Sequence, residues 1–210
     1  MAKPQEKQLG LFSPDLLGRG VSLPSLRKRA LDCDACALRD GCDRVVFGEG
    51  EGTRPPVVFV GESPGVEENE TGRPFVGPAG KLLVRMVEAM GLTREQVYFC
   101  NVVNCRPPNG RVPEVLEIQA CREYLIGQLR AVDPLVIVTL GTTAAQAVLN
   151  NKKKTVEELA GRWYEWEGIP MRPTLHPAYL LRHPEKKADV WLDLQAVVLN
   201  LNKIKKEKYQ

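Results

Sequence analysis

No stretch of this chain is apolar for long enough to cross a bilayer, and its first residues, MAKPQEKQ, lack the apolar core of a secretion signal. Both absences predict a cytoplasmic protein with no membrane partner. An excess of one charge is missing too. Lys and Arg number 29 against 26 Asp and Glu, and a net +3 permits nucleic-acid binding without arguing for it. Histidine is scarce, with two in 210 residues, so a histidine inside a motif stands out. Cysteine is not scarce: Cys33, Cys36, Cys42, Cys100, Cys105 and Cys121. In a chain without an export signal these are reduced thiols or metal ligands rather than disulfides.

With 43% hydrophobic and 26% charged residues, the chain carries enough apolar material for one folded domain. Residues 1–24 are rich in Gly, Pro and Lys and read as a mobile tail, leaving 25–210 as the domain. Four runs read as strands: Val57–Val60, Val97–Cys105, Leu135–Leu140 and Ile169–Thr174. Helical stripes separate them. Leu82, Leu83, Met86, Val87 and Met90 form one, ended by Gly91; Ile118, Cys121, Leu125, Leu129 and Val132 form another; Val190, Leu194, Val197 and Leu201 close the chain. Alternating strands and helices predict an α/β fold, a three-layer α/β/α arrangement around a central, mainly parallel four-stranded sheet, as a monomer.

The stretch VVFVGESPGVEENETGRPFVGPAG, Val57 to Gly80, organises the rest. A buried strand breaks at once into a loop punctuated by glycine and proline, and ligands bind at such strand ends. That loop offers Glu62, Glu67, Glu68 and Glu70, then Phe75 between Pro74 and Val76, a combination suited to a small polar ring.

Cys33-x2-Cys36 and the later Cys105 and Cys121 supply four thiolates from two places in the chain. Thiolates suit tetrahedral zinc or an iron–sulfur cluster, and softness alone does not choose between them. A zinc ribbon would offer a second close pair, whereas Cys105 and Cys121 flank a proline-rich loop, which accommodates a larger cube better. Cys100, inside its strand, and Cys42 read as buried, unligated thiols.

GESPG at 61–65, TGRPFVGPAG at 71–80, NVVNCRPP at 101–108, the cysteine at 121 and HPAYLLR at 176–182 together resemble the family 4 uracil-DNA glycosylases, in order and spacing. The resemblance spans Cys33 to about Leu201. It implies a DNA-repair enzyme acting on uracil-containing DNA, with a [4Fe–4S] cluster on Cys33, Cys36, Cys105 and Cys121. It also implies that the uracil ring stacks on Phe75 while the Asn101 amide reads the pyrimidine edge, donating to O4 and accepting from N3–H. Cytosine presents the opposite pattern there. His176 would stand beside uracil O2 and stabilise charge on the leaving base. Glu62 and Glu68 are the candidate carboxylates for water and for the sugar cation, with the division between them open. Ser63 and Pro64 line the pocket. Ser63 and Asn69 depart from the family's usual small residue and acid, which leaves the range beyond uracil open.

A base must leave the duplex to reach such a pocket. Ala178 to Arg182 reads as a loop offering Leu180 and Leu181 as wedges and Arg182 to a phosphate, with Arg106 and Arg111 adding phosphate contacts. Two other readings are a non-catalytic iron–sulfur nucleic-acid module, against which Phe75, Asn101 and His176 argue, and a relative that traps the abasic sugar through a histidine in an extra loop. No histidine lies between Asn101 and Cys121. Finally, Gln8-Leu9-Gly10-Leu11-Phe12 resembles the QLxLF peptide that docks on the bacterial sliding clamp, with Leu11 and Phe12 as anchors and Gln8 as the polar contact.

Overall fold

β-Branched runs become inner strands because their side chains pack on both faces of a covered sheet. The computed structural model describes residues 22–151 and 153–208. Its strands are β1 (Glu49–Gly50), β2 (Val57–Gly61), β3 (Tyr98–Asn101), β4 (Val136–Leu140), β5 (Tyr164–Trp166) and β6 (Ile169–Thr174), in one sheet of order β1-β3-β2-β4-β6-β5. The four inner strands run parallel, as the sequence predicts, and β1 and β5 add antiparallel edges. At two and three residues, those edges are too short to leave an apolar run in the sequence.

Two cores flank the sheet. Val58, Val60, Cys100, Ile137 and Met171 face Leu125 and Leu129 of α4 (Val115–Val132) and Ala144 and Val148 of α5 (Thr142–Leu149). Val57, Phe59, Phe99, Val136 and Val138 face Leu83 and Val87 of α3 (Pro78–Ala89) and Leu194 and Val197 of α8 (Lys187–Lys208). The three layers follow from that alternation. Helix α1 (Leu23–Leu31) buries Leu26 and Ala30 in a third cluster with Phe47 and Tyr124. Among the described residues no helix is long and apolar enough to cross a membrane.

Two segments read as loops are short helices, α2 (Val66–Thr71) and α7 (Pro177–Arg182). Side chains cap both: Glu68 accepts the Gly65 N–H of α2, and His176 accepts the Ala178 N–H of α7. Between α5 and β5 lies one further turn of helix, α6 (Val156–Leu159).

The chain goes from β2 to β3 on one side, then to β4 on the other. Loops leaving β2 and β4 therefore diverge, and a crevice opens at their C-terminal ends. Buried Asp193 of α8 accepts from Arg172 Nε and Thr174 Oγ1, at 2.9 and 2.6 Å, tying down the strand that leads into His176.

Candidate active site and cysteine-lined cavity

Three strand ends deliver the side chains of the crevice: β2 leads into Glu62, Ser63 and Pro64, its neighbour β3 ends in Asn101, and β6, on the far side of β4, leads into His176. Gly61 is the floor between them. A Cβ there would lie 2.4 Å from Asn101 Oδ1 and 2.6 Å from Phe75 Cζ, so only glycine lets the amide and the ring approach the strand. Asn101 is buried, yet its amide is engaged by no protein group among the described residues. Ser63 is half-buried and Pro64 buried beside them.

Phe75 is held in a costly backbone conformation. Its φ of +54° lies in the left-handed region, which for a non-glycine residue persists only when the surroundings over-determine it. Arg94 supplies part of that restraint, donating to the carbonyls of Phe75 at 3.0 Å and Pro74 at 2.6 Å. Gly80 supplies another part, because a Cβ there would sit 2.1 Å from the Phe75 carbonyl carbon. The ring leans on Phe99 with centroids 5.5 Å apart and stands 6.4 Å from the His176 ring. Arg94 in turn lies 4.8 Å over Phe99. Sequence reasoning missed Arg94, whose signal lies in three-dimensional contact alone.

The two candidate carboxylates differ. Glu68 is buried and largely committed: Oε1 accepts from the N–H groups of Val76 (2.9 Å) and Gly77 (2.8 Å), and Oε2 accepts from Gly65 (3.0 Å). It pins both ends of the 65–77 loop, with three of its four acceptor sites taken by backbone N–H groups. Those three bonds make it an anchor of that loop. Glu62 is half-buried at the crevice and accepts a hydrogen bond from Thr143 Oγ1 of α5. Asn69, where an acid was the family expectation, pairs with Asp43: its Oδ1 accepts the Asp43 N–H at 3.0 Å and its Nδ2 donates to Oδ2. Two acids there would repel.

His176 accepts the Ala178 N–H on Nδ1 at 3.1 Å, which leaves the proton of the neutral ring on Nε2. Burial, helped by the positive Arg182, pushes its pKa down to about 4. The imidazole is thus a neutral donor near pH 7. Gly141, with φ +85°, backs it closely, since a Cβ there would lie 3.3 Å from that of His176.

The residues expected to face DNA divide. Arg182 and Leu181 are exposed on α7, Leu181 by 47%. Leu180 is only 1% exposed and packs in the α3–α8 core. As a wedge it is corrected to a core residue: successive helical side chains point about 100° apart, so Leu180 and Leu181 cannot share a face. Arg111 is also corrected, because Glu117 holds its guanidinium by two bonds of 2.8 and 2.6 Å. Arg106 is half-buried just after Cys105. Gln8, Leu9, Leu11 and Phe12 lie outside the described residues.

Cys33, Cys36, Cys105 and Cys121 border one cavity, walled by Ala30, Leu38, Val45, Val103 and Tyr124. Among the described residues no three His, Cys, Asp or Glu side chains converge to hold a single metal ion. The thiols surround a space rather than a point. Burial raises the Cys36 and Cys105 thiols and pushes Cys121 up to about 12. Asn104, also on the wall, donates its N–H to Cys121 Sγ at 3.3 Å, while its side-chain Nδ2 and Oδ1 are sealed from solvent with no partner among the described residues. Cys100 and Cys42 are buried, as expected.

Residues 47–195 match the family model of the uracil DNA glycosylase superfamily. A type-4 uracil-DNA glycosylase of Thermotoga maritima is 47% identical over 158 residues, 74% of this chain and 81% of its own length. One from Archaeoglobus fulgidus is 38% identical over 183 residues, 84% of this chain and 92% of its own length. A third, from Sulfurisphaera tokodaii, is 40% identical over 171 residues, 78% of this chain and 77% of its own length.

Proposed function

The chain belongs to the uracil-DNA glycosylase superfamily, among the type-4 enzymes, and we propose that its excision of uracil from DNA runs through Phe75, Asn101, His176 and Glu62. The observation that carries this reading is their convergence: an aromatic face, an unengaged amide, a neutral imidazole N–H and a carboxylate meet from three strand ends and one loop. A flipped uracil stacks on Phe75. Asn101 donates to O4 and accepts from N3–H, a pattern that cytosine cannot match. Rupture of the bond between C1′ and N1 sends its electron pair to the base, and Nε2–H of His176 donates to O2, where that charge gathers. Glu62 orients a water whose oxygen bonds to C1′ and takes up the proton that water releases, leaving an abasic sugar and the uracil anion, which gains a proton from solvent as Glu62 returns its own. Turnover rather than covalent trapping is the outcome, since no histidine lies between Asn101 and Cys121.

The cysteine cavity supports a [4Fe–4S] cluster on Cys33, Cys36, Cys105 and Cys121. Four soft donors around a space suit a cube better than one ion, and the sealed Asn104 amide fits a donor waiting for a sulfur. Bound there, the cluster supplies a tie between the segment before β1 and the loop after β3. Stoichiometric zinc without iron in anaerobically prepared protein overturns this part. Exposed Leu181 and Arg182 are the DNA-facing candidates that remain, with Arg106. The clamp-docking reading of Gln8 to Phe12 rests on sequence alone, and loss of clamp pull-down on deleting residues 1–12 is its test.

The function itself is tested with oligonucleotides carrying uracil or thymine at one position, followed by alkali. Cleavage of the uracil strand alone is expected. Equal cleavage of both, or of neither, overturns the reading.

A further inference from the structure

We propose that Thr143 is the positioning residue for Glu62, and that the turn from β4 into α5 therefore sets the water-activating arm of the site. The inference rests on the function proposed above. Thr143 Oγ1 donates to Glu62 Oε2 across 81 positions of sequence, from the first turn of α5 to the residue after β2. These two strands are paired neighbours, Val60 opposite Thr139, so their exits lie side by side at the switch point. The remaining groups of that turn are fixed. Gly141 donates its N–H to the Thr174 carbonyl at 2.8 Å, and Thr142 Oγ1 accepts the Val156 N–H at 3.0 Å. Thr143 thus stands on a rigid base.

A carboxylate on a flexible two-bond stem has rotamers that point away from a pocket, and one donor on Oε2 selects among them. It leaves Oε1 to accept from a water. Glu68, by contrast, spends three of its four acceptor sites on backbone N–H groups, whereas Glu62 keeps a whole oxygen clear of protein partners among the described residues. The same turn also backs His176, through the close approach of Gly141. One short segment therefore touches both the group that handles water and the group that receives the leaving base.

Thr143→Val keeps shape and removes the hydroxyl, with Thr143→Ala as the second variant should valine disturb the fold. Single-turnover excision is expected to slow by about ten- to hundredfold, the range for a hydrogen bond to a charged group. Affinity for the uracil oligonucleotide should stay within about twofold, because binding does not use the water arm. Thr143→Ser, which restores the donor, should recover most of the rate. Combined with Glu62→Gln, the valine change should add nothing, since two residues acting as one unit are not additive. A wild-type rate in Thr143→Val and Thr143→Ala beside a crippled Glu62→Gln overturns the inference and leaves the function standing. So does full additivity in the double variant, or failure of serine to rescue. If the unaltered protein releases no uracil, the function falls first, and this inference with it.

Discussion

Asn101 and Asn104 leave the same strand three residues apart, both buried, and they end in opposite circumstances. Asn101 opens on a pocket whose other polar groups are tied by the protein itself: Glu62 by Thr143, His176 by Ala178, and the Phe75 backbone by Arg94. Asn104 has two sealed polar atoms with no partner among the described residues, in a wall of carbon and thiols. Leaving a buried polar group unpaired costs roughly 1–3 kcal/mol. The pocket is thus preorganised by the polypeptide, and its Asn101 amide, the His176 Nε2–H and one Glu62 oxygen are left to substrate and water. On the cluster reading proposed above, the cysteine cavity is completed by a cofactor rather than by polypeptide. A fold can finish one site and leave the neighbouring one to a cofactor because the first is built from hydrogen bonds and the second from thiols that need a cation to ionise.

The largest expected effect breaks the pocket and spares the cavity. Gly61→Ala puts a methyl 2.4 Å from Asn101 Oδ1 and 2.6 Å from Phe75 Cζ, so one of them must move out of the pocket. Uracil release should fall by at least about 10²-fold, the scale of losing one catalytic contact. Any brown colour and iron content given by the proposed cluster should be unchanged. Near-normal excision by the alanine variant would show that the ring and the amide do not meet where the base binds.

The converse experiment empties the cavity. If the proposed cluster is present, removing iron with a chelator under reducing conditions should lower the melting temperature and expose residues 32–44 to proteolysis, because Cys33 and Cys36 lie in that segment, which Leu38 and the Asp43–Asn69 pair would then chiefly hold. Cys105→Ala should do the same. If stripped protein melts and resists protease as before, the cavity is complete without a cluster and the contrast dissolves.

The comparison also explains what was legible in the sequence. The four inner strands and the main helices carry their own signal, because each is a run or stripe of apolar side chains whose period needs no partner to be read. Asn101 and His176 were legible because they open motifs at strand exits, and Phe75 because it sits inside the motif between α2 and α3; the fold brings the three together. What was not legible is who consumes a side chain. Glu68 reads as a free acid in a loop, but Val76 and Gly77 take one oxygen and Gly65 the other. Arg111 reads as a free cation until Glu117 of the next helix holds it. Leu180 reads as a wedge until its segment coils and turns it inward. Thr143 gave almost no sign, being one of two threonines after a glycine, and its partner is 81 positions away. Polar commitments are long-range facts, and local pattern does not carry them.

The smallest expected effect is the sharpest test of a preorganised pocket: a pH change that should do almost nothing to the chemistry. Burial holds the His176 pKa near 4, against about 6.5 for an unburied imidazole, so the ring stays a neutral Nε2–H donor from pH 6 to 8. Over that range His176 should impose no slope on the single-turnover rate. Stability behaves otherwise at lower pH. Between about 6.5 and 4 the unfolded chain binds a proton on this histidine that the folded chain refuses, so acid favours unfolding there, and stability rises with pH across that window before levelling off above it. Comparing denaturant unfolding at pH 7 and pH 4.5 for the protein and for His176→Asn isolates this contribution from that of the carboxylates. The unaltered protein should lose roughly 2–3 kcal/mol more than the variant, an order-of-magnitude figure set by the pKa gap. Nitrogen chemical shifts of the His176 ring supply the direct check. A midpoint near 6.5 would mean that the ring is solvated and cationic in mild acid. The donor to the leaving base would then be an imidazolium, and the rate would climb as the pH falls from 8 to 6.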